Sequence, residues 1–352
     1  MATPKGTIIV TGANGGLGSA IVARIASTPE FAAYHGIYTF RDASSPPPAL
    51  ESALQQNGPS KTISHSHEKL PLDLTNLAKV REAAATINAR VAAGEIPPIR
   101  ALVLNAAVQE FVTQDKTDDG FDIAFMVNYL SQWLFTLLLL QSLDKETGRV
   151  VVIGSLAHDP SAKQNARMFP DEKWTPILHD STDPIAKGTW STTADDPSWN
   201  GGFRRYAASK LSAIMMIGEL QRRLDTDPIL NNISILGIDP GSMPTGLTRN
   251  GPWFIRVLVG QIIFPALAGL RTWLAPNGPL RTTYKSAGDV LAAAFESSPV
   301  LGERPKGLYL NGSELGDTSL ESKSVEKREM LWKDSVRYAQ LGEGETVLVN
   351  WQ

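Results

Sequence analysis

The sequence predicts a doubly wound α/β fold, in which helices cover both faces of a parallel sheet of about seven strands. Short apolar runs alternate with longer segments whose apolar residues recur at helical spacing, and polar or glycine-rich turns separate them. Candidate ligand residues follow the carboxyl ends of the short runs, which share one edge of a parallel sheet. The expected strands lie at about 6–11, 36–40, 67–72, 100–105, 148–154, 232–238 and 306–310. The expected helices lie at about 16–28, 75–93, 118–143, 203–225 and 285–297.

The first strand leads directly into a glycine-rich turn, which opens the first helix. The turn, residues 11–18, reads T-G-A-N-G-G-L-G. Glycine permits a positive φ and leaves room for a ligand to approach the backbone. The N-terminus of the following helix offers free N–H donors and the positive end of the helix dipole. The turn therefore predicts a dinucleotide phosphate site; an ordinary glycine-rich loop is the alternative, which the strand–turn–helix context disfavours.

Tyr206 and Lys210 stand four residues apart in the segment Y-A-A-S-K, one turn apart on the same face of a predicted helix. A nearby cation favours the phenolate and should lower the pKa of the tyrosine. Such a tyrosine suits general acid–base catalysis. Taken alone, such a pair is far more often an exposed tyrosine against a lysine stem.

Together, in this order, the two features resemble the short-chain dehydrogenase/reductase family, over about residues 5–312. Its nucleotide motif T-G-x-x-x-G-x-G is matched by Thr11, Gly12, Gly16 and Gly18, and its catalytic Y-x-x-x-K by Tyr206 and Lys210. The resemblance implies a single Rossmann-type domain at 1–318 and an NADP-preferring enzyme of the carbonyl reductase or retinol dehydrogenase-like type.

The same resemblance implies the remaining site residues. The catalytic set is Asn128, Ser155, Tyr206 and Lys210. The cofactor contacts are Gly12, Asn14, Gly16, Leu17, Gly18, Arg41, Asp73, Leu74, Asn105, Ala106, Tyr206, Lys210, Pro240, Gly241, Met243 and Thr245. No metal is expected. One departure from the family pattern is Val108, which follows Asn105-Ala-Ala where a glycine is usual.

Arg41 bears on the choice of cofactor. It follows the second strand, where a site for a ribose 2′-hydroxyl would have an acidic residue about 20 residues past the glycine turn, but Thr39 and Phe40 stand there. A guanidinium suits a 2′-phosphate, so we expect NADP(H). Two alternatives stay open: Asp42 could hold the ribose and favour NAD, or Arg41 could be a solvated surface residue.

The composition limits the classes of function. With 42% hydrophobic residues the chain can bury a sizeable core, and with no cysteine it has no disulfide or thiolate chemistry. A formal net charge of −3 argues against a nucleic-acid partner. The first strand begins at about residue 6, so we expect no signal peptide and a cytoplasmic protein.

Three segments extend the minimal family pattern. Residues 156–202 form an aromatic-rich insertion before Tyr206, which could cover the helix face that relatives use to form tetramers and so favour a monomer; a surface decoration is the alternative. Residues 250–276 are expected to form an apolar substrate lid. Within it, 251–275 is too short for a membrane span, although weak interfacial contact stays open. Residues 319–352 are expected to form a helical C-terminal extension.

The expected function is NADP(H)-dependent hydride transfer to or from the carbonyl or alcohol of a hydrophobic small molecule. The alternative is a non-catalytic NADP(H)-binding sensor or scaffold. The presence of Asn128, Ser155, Tyr206 and Lys210 disfavours that alternative, since a sensor needs no acid at this position.

Overall fold

The computed structural model describes residues 4–42, 44, 47–55, 65–247 and 263–352, and it confirms the α/β fold. One sheet runs through the centre with the strand order β3-β2-β1-β4-β5-β6-β7-β8. Its strands are β1 (Thr7–Val10), β2 (His35–Phe40), β3 (His67–Pro71), β4 (Ile99–Leu104), β5 (Arg149–Ile153), β6 (Ser234–Asp239), β7 (Tyr309–Asn311) and β8 (Glu314–Leu315). The first seven are parallel, as predicted. The two-residue β8 was not predicted; it returns antiparallel to β7 through Gly312, whose φ of +64° suits a tight turn.

The helices lie on both faces of the sheet. They are α1 (Gly16–Ser27), α2 (Pro29–Ala32), α3 (Pro48–Gln55), α4 (Leu77–Ala92), α5 (Ile123–Phe125), α6 (Ser131–Leu139), α7 (Asp183–Ala186), α8 (Trp199–Thr226), α9 (Phe264–Leu274), α10 (Thr283–Phe295), α11 (Leu320–Lys323) and α12 (Val325–Ala339). A π-helical turn, Met126–Leu130, joins α5 to α6. Each of the five helices expected before the extension has a counterpart.

The strand order reverses between β1 and β4, and this reversal positions the site. The chain runs outward from β1 to β2 and β3, then returns to place β4 on the other side of β1. Helices that follow strands on opposite sides of such a point diverge and leave a crevice at the carboxyl ends of β1 and β4. The glycine turn after β1 opens into this crevice.

Two apolar cores fill the space between the sheet and its helices. The smaller contains Ile8, Val10 and Ile21 and lies beneath α1, α3 and α10. The larger contains Trp133, Leu211 and Trp332 and lies beneath α4, α6 and α8. In the part of the chain that the structure describes, the segment Ile123–Ser142 alone is long and apolar enough to cross a membrane, and it is buried within this larger core.

The C-terminal segment 319–352 covers the outer face of α6 and α8. The Tyr129 hydroxyl hydrogen-bonds the Ser335 hydroxyl at 2.7 Å, and Trp133 packs against Trp332. This corrects the expectation that the insertion 156–202 covers the helix face built from 118–143 and 203–225. The extension is held on this face because Trp332 packs on Trp133 of α6 and Ser335 satisfies the buried hydroxyl of Tyr129 in the π-helical turn.

The insertion packs instead at the N-terminal end of α8. Arg204, which is fully buried, donates to the Met168 carbonyl at 2.8 Å and to the Ser191 hydroxyl at 2.9 Å, and it lies 4.0 Å over the Trp174 ring. Its guanidinium also pairs with Asp196 at 2.6 Å. An arginine of the helix that carries Tyr206 thus organises the insertion.

Residues 250–262 of the expected lid, 250–276, lie outside the described residues, which resume at 263. Its described part forms α9, whose side chains Leu270, Trp273 and Leu274 are exposed. Whether the segment closes over a substrate stays a prediction.

Candidate active site

A single cavity of about 1490 Å³ opens at the carboxyl ends of the parallel strands. The residues predicted from sequence to hold cofactor or perform catalysis line it, apart from Asn128: Gly12, Asn14, Gly16, Leu17, Gly18, Arg41, Asp73, Leu74, Asn105, Ala106, Ser155, Tyr206, Lys210, Pro240, Gly241, Met243 and Thr245. These residues come from loops after β1, β2, β3, β4, β5 and β6 and from α8. The fold therefore brings together positions spread over more than 200 residues.

Three glycines shape the turn as a cradle, because a side chain at any of their positions would collide with neighbouring atoms. Gly12 has a φ of +62°, and a Cβ there would lie 2.8 Å from the Ala106 Cα. A Cβ on Gly16 would meet Thr245 at 2.7 Å, and one on Gly18 would lie 2.4 Å from the Gly12 carbonyl oxygen. The first turn of α1 carries no acidic residue. Free backbone N–H groups at this helix start fit the pyrophosphate of a dinucleotide.

A hydrogen-bond network locks the ends of β1 and β4 together behind the cradle. The Thr11 hydroxyl oxygen accepts from the backbone N–H of Asn105 at 2.9 Å and of Ala106 at 3.0 Å. The Asn105 amide donates back to the Thr11 carbonyl at 2.8 Å. Gln132, a buried residue of α6 that the sequence analysis did not single out, joins Thr11 and the Ala106 carbonyl. The network fixes the spacing of the two strand ends that form the crevice.

Two predicted cofactor residues make local structural bonds. The Asn14 side-chain oxygen accepts from the backbone N–H groups of Ala49 at 3.1 Å and Leu50 at 3.3 Å, at the start of α3. The Asp73 carboxylate accepts from the N–H and the hydroxyl of Thr75 at 3.0 and 2.7 Å. Both side chains thus shape the rim of the cavity between β1, β2 and β3.

Arg41 and Asp42 differ in what their side chains do. The Asp42 carboxylate accepts from the Ser44 N–H at 2.9 Å and from the Ser44 hydroxyl at 2.6 Å, and these bonds lower the pKa of Asp42. This Asx turn engages the carboxylate locally. Arg41 is exposed and lines the cavity. Asp42 also lines the cavity, and both bonds from Ser44 go to one of its two carboxylate oxygens.

Tyr206, Ser155 and Lys210 meet at the foot of the cavity. All three line the cavity. The Lys210 ammonium lies 5.7 Å from the centre of the Tyr206 ring and donates to the Ile153 carbonyl at 2.8 Å. Burial raises the pKa of Tyr206, and burial lowers the pKa of Lys210 to about 8. The pKa of Tyr206 is therefore raised, where the sequence predicted a lowered value, because burial has the largest effect on it. Both groups are buried, so desolvation favours the neutral form of each.

Asn128 lies behind the cavity rather than on its wall. It sits in the π-helical turn, an irregularity that often marks functional sites. Its amide donates to the Val108 carbonyl at 3.0 Å and to the Ser209 hydroxyl at 2.9 Å, and its oxygen accepts from the Val108 N–H at 2.8 Å. Ser209 in turn donates to the Tyr206 carbonyl. Asn128 thus connects the loop after β4 with the turn of α8 that carries Tyr206.

Sequence reasoning missed several polar residues of the cavity. Asp239 accepts from the Gly241 N–H at 2.8 Å, and its charge raises the pKa of both Tyr206 and Lys210. Arg281, fully buried, donates to the Asp239 carbonyl at 2.9 Å and so fixes the end of β6. Asp239 precedes the Pro-Gly motif directly, which was the one local signal available.

Part of the cavity wall is apolar. It includes Ile123, Val127, Leu156, Phe203, Leu247 and Leu315. Of these, Phe203 lies one helical turn before Tyr206 in α8, and Leu156 follows Ser155 directly. Within the described ranges, the structure holds no group of three histidine or acidic side chains that could bind a metal ion.

Comparisons with known proteins agree with this geometry. A family model described as short chain dehydrogenase matches residues 6–166. The short-chain dehydrogenase iccH of Talaromyces variabilis is 46% identical over 367 residues, an alignment that covers 99% of each chain. Retinol dehydrogenase 13 of Homo sapiens is 27% identical over 339 residues and covers 95% of this chain and 84% of its own.

Among solved structures, the NADPH-bound carbonyl reductase from chicken fatty liver superposes with a TM-score of 0.56. Its sequence identity is 16%, and the match covers 90% of this chain and all of that one. At this identity the likeness concerns the fold alone.

Proposed function

Because this chain belongs to the short-chain dehydrogenase family, we propose that it is an NADP(H)-dependent oxidoreductase that reduces the carbonyl group of a hydrophobic small molecule. Tyr206 would act as the general acid. The observation that carries the proposal is that Ser155, Tyr206 and Lys210 line the same cavity as the glycine cradle, with the Lys210 ammonium 5.7 Å from the centre of the Tyr206 ring. A site that only senses nucleotide needs no such acid.

The chain's own residues would hold the cofactor at three places. The glycine cradle would hold the pyrophosphate, the rim with Asp73 would hold the adenine, and the loop from Pro240 to Thr245 would hold the nicotinamide. Arg41 would pair with a 2′-phosphate, which is why we propose NADP(H) rather than NAD(H). When bound, the nicotinamide supplies the hydride.

The protein's part in the reaction is to polarise the carbonyl and move a proton. Burial keeps Tyr206 protonated at neutral pH, so its hydroxyl has a proton to give to the substrate oxygen. Ser155 would donate a second hydrogen bond to the same oxygen and stabilise the charge that develops there. With its pKa at about 8, Lys210 is mostly charged at pH 7 and would offset that charge.

An apolar substrate fits the apolar part of the cavity wall. Leucine, valine, isoleucine and phenylalanine side chains there gain from burial against an apolar surface. A relative named for retinol, a hydrophobic alcohol, is consistent with such a substrate. We place the core enzyme at residues 1–318 and treat 319–352 as an extension of it.

The test is Tyr206→Phe, assayed by NADPH consumption with a panel of apolar ketones and aldehydes. Since general acid catalysis contributes ~10²–10⁴-fold, kcat should fall at least a hundredfold while NADPH affinity is nearly unchanged. Tyr284→Phe is the matched control, because Tyr284 is exposed and outside the cavity. If the Tyr206 variant kept more than half the wild-type rate, the assignment of the acid would be wrong. If the wild type bound NADPH but reduced no carbonyl, the protein would be a nucleotide-binding sensor or scaffold.

A further inference from the structure

His158 lies three residues after Ser155 and is almost completely buried, with 1% of its surface exposed. Its Nδ1 is 2.7 Å from the Ser155 carbonyl oxygen. Its Nε2 is 3.1 Å from the backbone nitrogen of Ser319, a residue 161 positions away. Both ring nitrogens are therefore engaged, one with a proposed catalytic residue and one with the first residue of the C-terminal extension.

The partners of His158 fix its tautomer. The Ser319 N–H can only donate, so Nε2 must carry the lone pair. The proton then lies on Nδ1 and is donated to the Ser155 carbonyl. Burial lowers the pKa of His158, in agreement with a neutral ring. A protonated ring would point an N–H at the N–H of Ser319 and break that contact.

We propose that His158 is a positioning residue that holds Ser155 in place and makes that placement depend on the docked C-terminal extension. The inference rests on the proposed function, because it concerns the serine assigned there as a hydrogen-bond donor to substrate. His158 itself does not take part in the proton transfer.

The surroundings of His158 make it a rigid link. The Tyr309 ring packs edge-on against the imidazole with centroids 5.6 Å apart. On the other side, the Ser319 hydroxyl accepts from the Ser322 N–H at 3.2 Å and caps α11. The extension continues from there into α12, which packs on α6 and α8. A shift of the extension would thus reach the Ser155 backbone through one side chain.

Two substitutions at His158 separate its two bonds. In His158→Asn the amide nitrogen stands where Nδ1 stood and can still donate to the Ser155 carbonyl. In His158→Gln the amide oxygen reaches the position of Nε2 and can still accept from Ser319. We expect His158→Gln to lower kcat roughly 10- to 100-fold, as small misplacements of catalytic groups do, and His158→Asn to lower it much less. NADPH affinity should stay within about twofold in both variants.

Two substitutions at Ser319 test the link to the extension. Ser319 has a φ of −55°, which proline can adopt. Ser319→Pro removes the N–H and puts the ring Cδ toward His158 Nε2, so it both breaks this bond and displaces the imidazole. Ser319→Ala removes the helix cap but keeps the N–H and is the matched control. We expect kcat to be several-fold lower in Ser319→Pro than in Ser319→Ala. The comparison is made at equal melting temperature, or after correction for any difference in melting temperature between the two variants.

The outcomes are decisive in either direction. Suppose that kcat fell by the same factor in His158→Gln and His158→Asn, and that the melting temperature of both fell by the same amount. His158 would then be merely structural, and the proposal would be overturned. Equal kcat in Ser319→Pro and Ser319→Ala would remove the link to the extension. Hydrogen–deuterium exchange in the peptide around 154–158 should rise in His158→Gln and not in His158→Asn. That readout needs no turnover, so it tests whether His158 holds the Ser155 backbone even if the proposed reductase activity fails.

Discussion

Trp332 of α12 packs edge-to-face against Trp133 of α6, with ring centroids 5.2 Å apart and both side chains buried. The Trp332 indole N–H donates to the Trp351 carbonyl at 2.7 Å, so the last residues fold back onto α12. Arg223 of α8 lies 4.4 Å over the Trp332 ring and donates to the Gln352 carbonyl at 2.9 Å. The C-terminal extension is thereby part of the larger core and not a loose tail.

This packing leads to a prediction on oligomeric state. The extension covers the face of α6 and α8, which we identified from family resemblance as the surface that relatives use to form tetramers. We therefore expect a monomer, with a mass near 38.1 kDa by light scattering. A mass near four times that value would contradict the prediction and would require an interface elsewhere on the molecule.

A second prediction concerns the choice of cofactor. Arg41→Ala should weaken NADPH binding roughly tenfold to a hundredfold, since a charge-assisted hydrogen bond contributes about 1.5–3 kcal/mol. NADH binding should hardly change, because NADH has no 2′-phosphate. Titration of both cofactors against both proteins by calorimetry gives the four affinities. Asp42→Asn is the control, since asparagine can keep the bonds to Ser44.

Two results would speak against the role of Arg41. Equal losses for NADH and NADPH would mean that Arg41 is structural. A wild-type preference for NADH would point to Asp42 as the ribose ligand.

A third prediction concerns the dependence of stability on pH. Arg205, buried beside Tyr206, lies 3.2 Å from the Asp122 carboxylate and 3.8 Å from the Glu110 carboxylate, and both acids are buried. One cation cannot offset two buried anions. Burial raises the pKa of Glu110 to about 7 and also raises the pKa of Asp122.

Proton linkage gives the direction in which the free energy of unfolding changes with pH. Between the ordinary pKa of about 4.5 and the folded-state value of about 7, folded Glu110 holds a proton that the unfolded chain has released. The free energy of unfolding should therefore decrease as pH rises from 4.5 to 7, by up to a few kcal/mol at about 1.36 kcal/mol per unit. In Glu110→Gln that decrease should be smaller. Urea unfolding from pH 5 to 8 measures it, with Glu82→Gln, an exposed site, as control. Parallel curves for wild type and Glu110→Gln would contradict the prediction.

The elements that the sequence predicted are those specified locally. The glycine turn and the short apolar strands carry their information within a few residues. The observed start of a helix differs from the predicted one where a capping side chain sets it. Ser198 accepts from the Asn200 N–H, so α8 begins at Trp199 rather than at 203. Asp122 likewise caps α5, so that helix begins at Ile123 rather than at 118.

What the sequence did not predict depends on contacts between distant segments. The pairing of His158 with Ser319, and of Trp133 with Trp332, joins residues that no local pattern connects. The expected place of the insertion was wrong for the same reason, since the apolar face of α6 does not encode which of two aromatic segments will cover it. The pKa of Tyr206 went opposite to expectation because its burial is a tertiary property.

A final prediction concerns Asp239, whose charge acts on both Tyr206 and Lys210. Its carboxylate accepts from the Gly241 N–H, a bond that the side-chain oxygen of asparagine can keep. Asp239→Asn thus removes the charge while preserving the turn. Without that charge the pKa of Tyr206 and the pKa of Lys210 should both fall, because the carboxylate raises each of them. The alkaline limb of the pH–rate profile for carbonyl reduction should therefore move to lower pH, whichever of the two groups limits it.

The expected displacement of that limb is from a few tenths to about one pH unit, the range of a single partly solvated charge. Asp317→Asn is the matched control. Asp317 also lines the cavity, but its side chain is 87% exposed and solvent screens its charge. Its profile should overlay that of the wild type. Rates of NADPH oxidation measured every half unit from pH 6 to 10 give the three profiles. An alkaline limb that stayed in place in Asp239→Asn, or moved upward, would show that Asp239 shapes the Pro-Gly turn without acting on the proton donor.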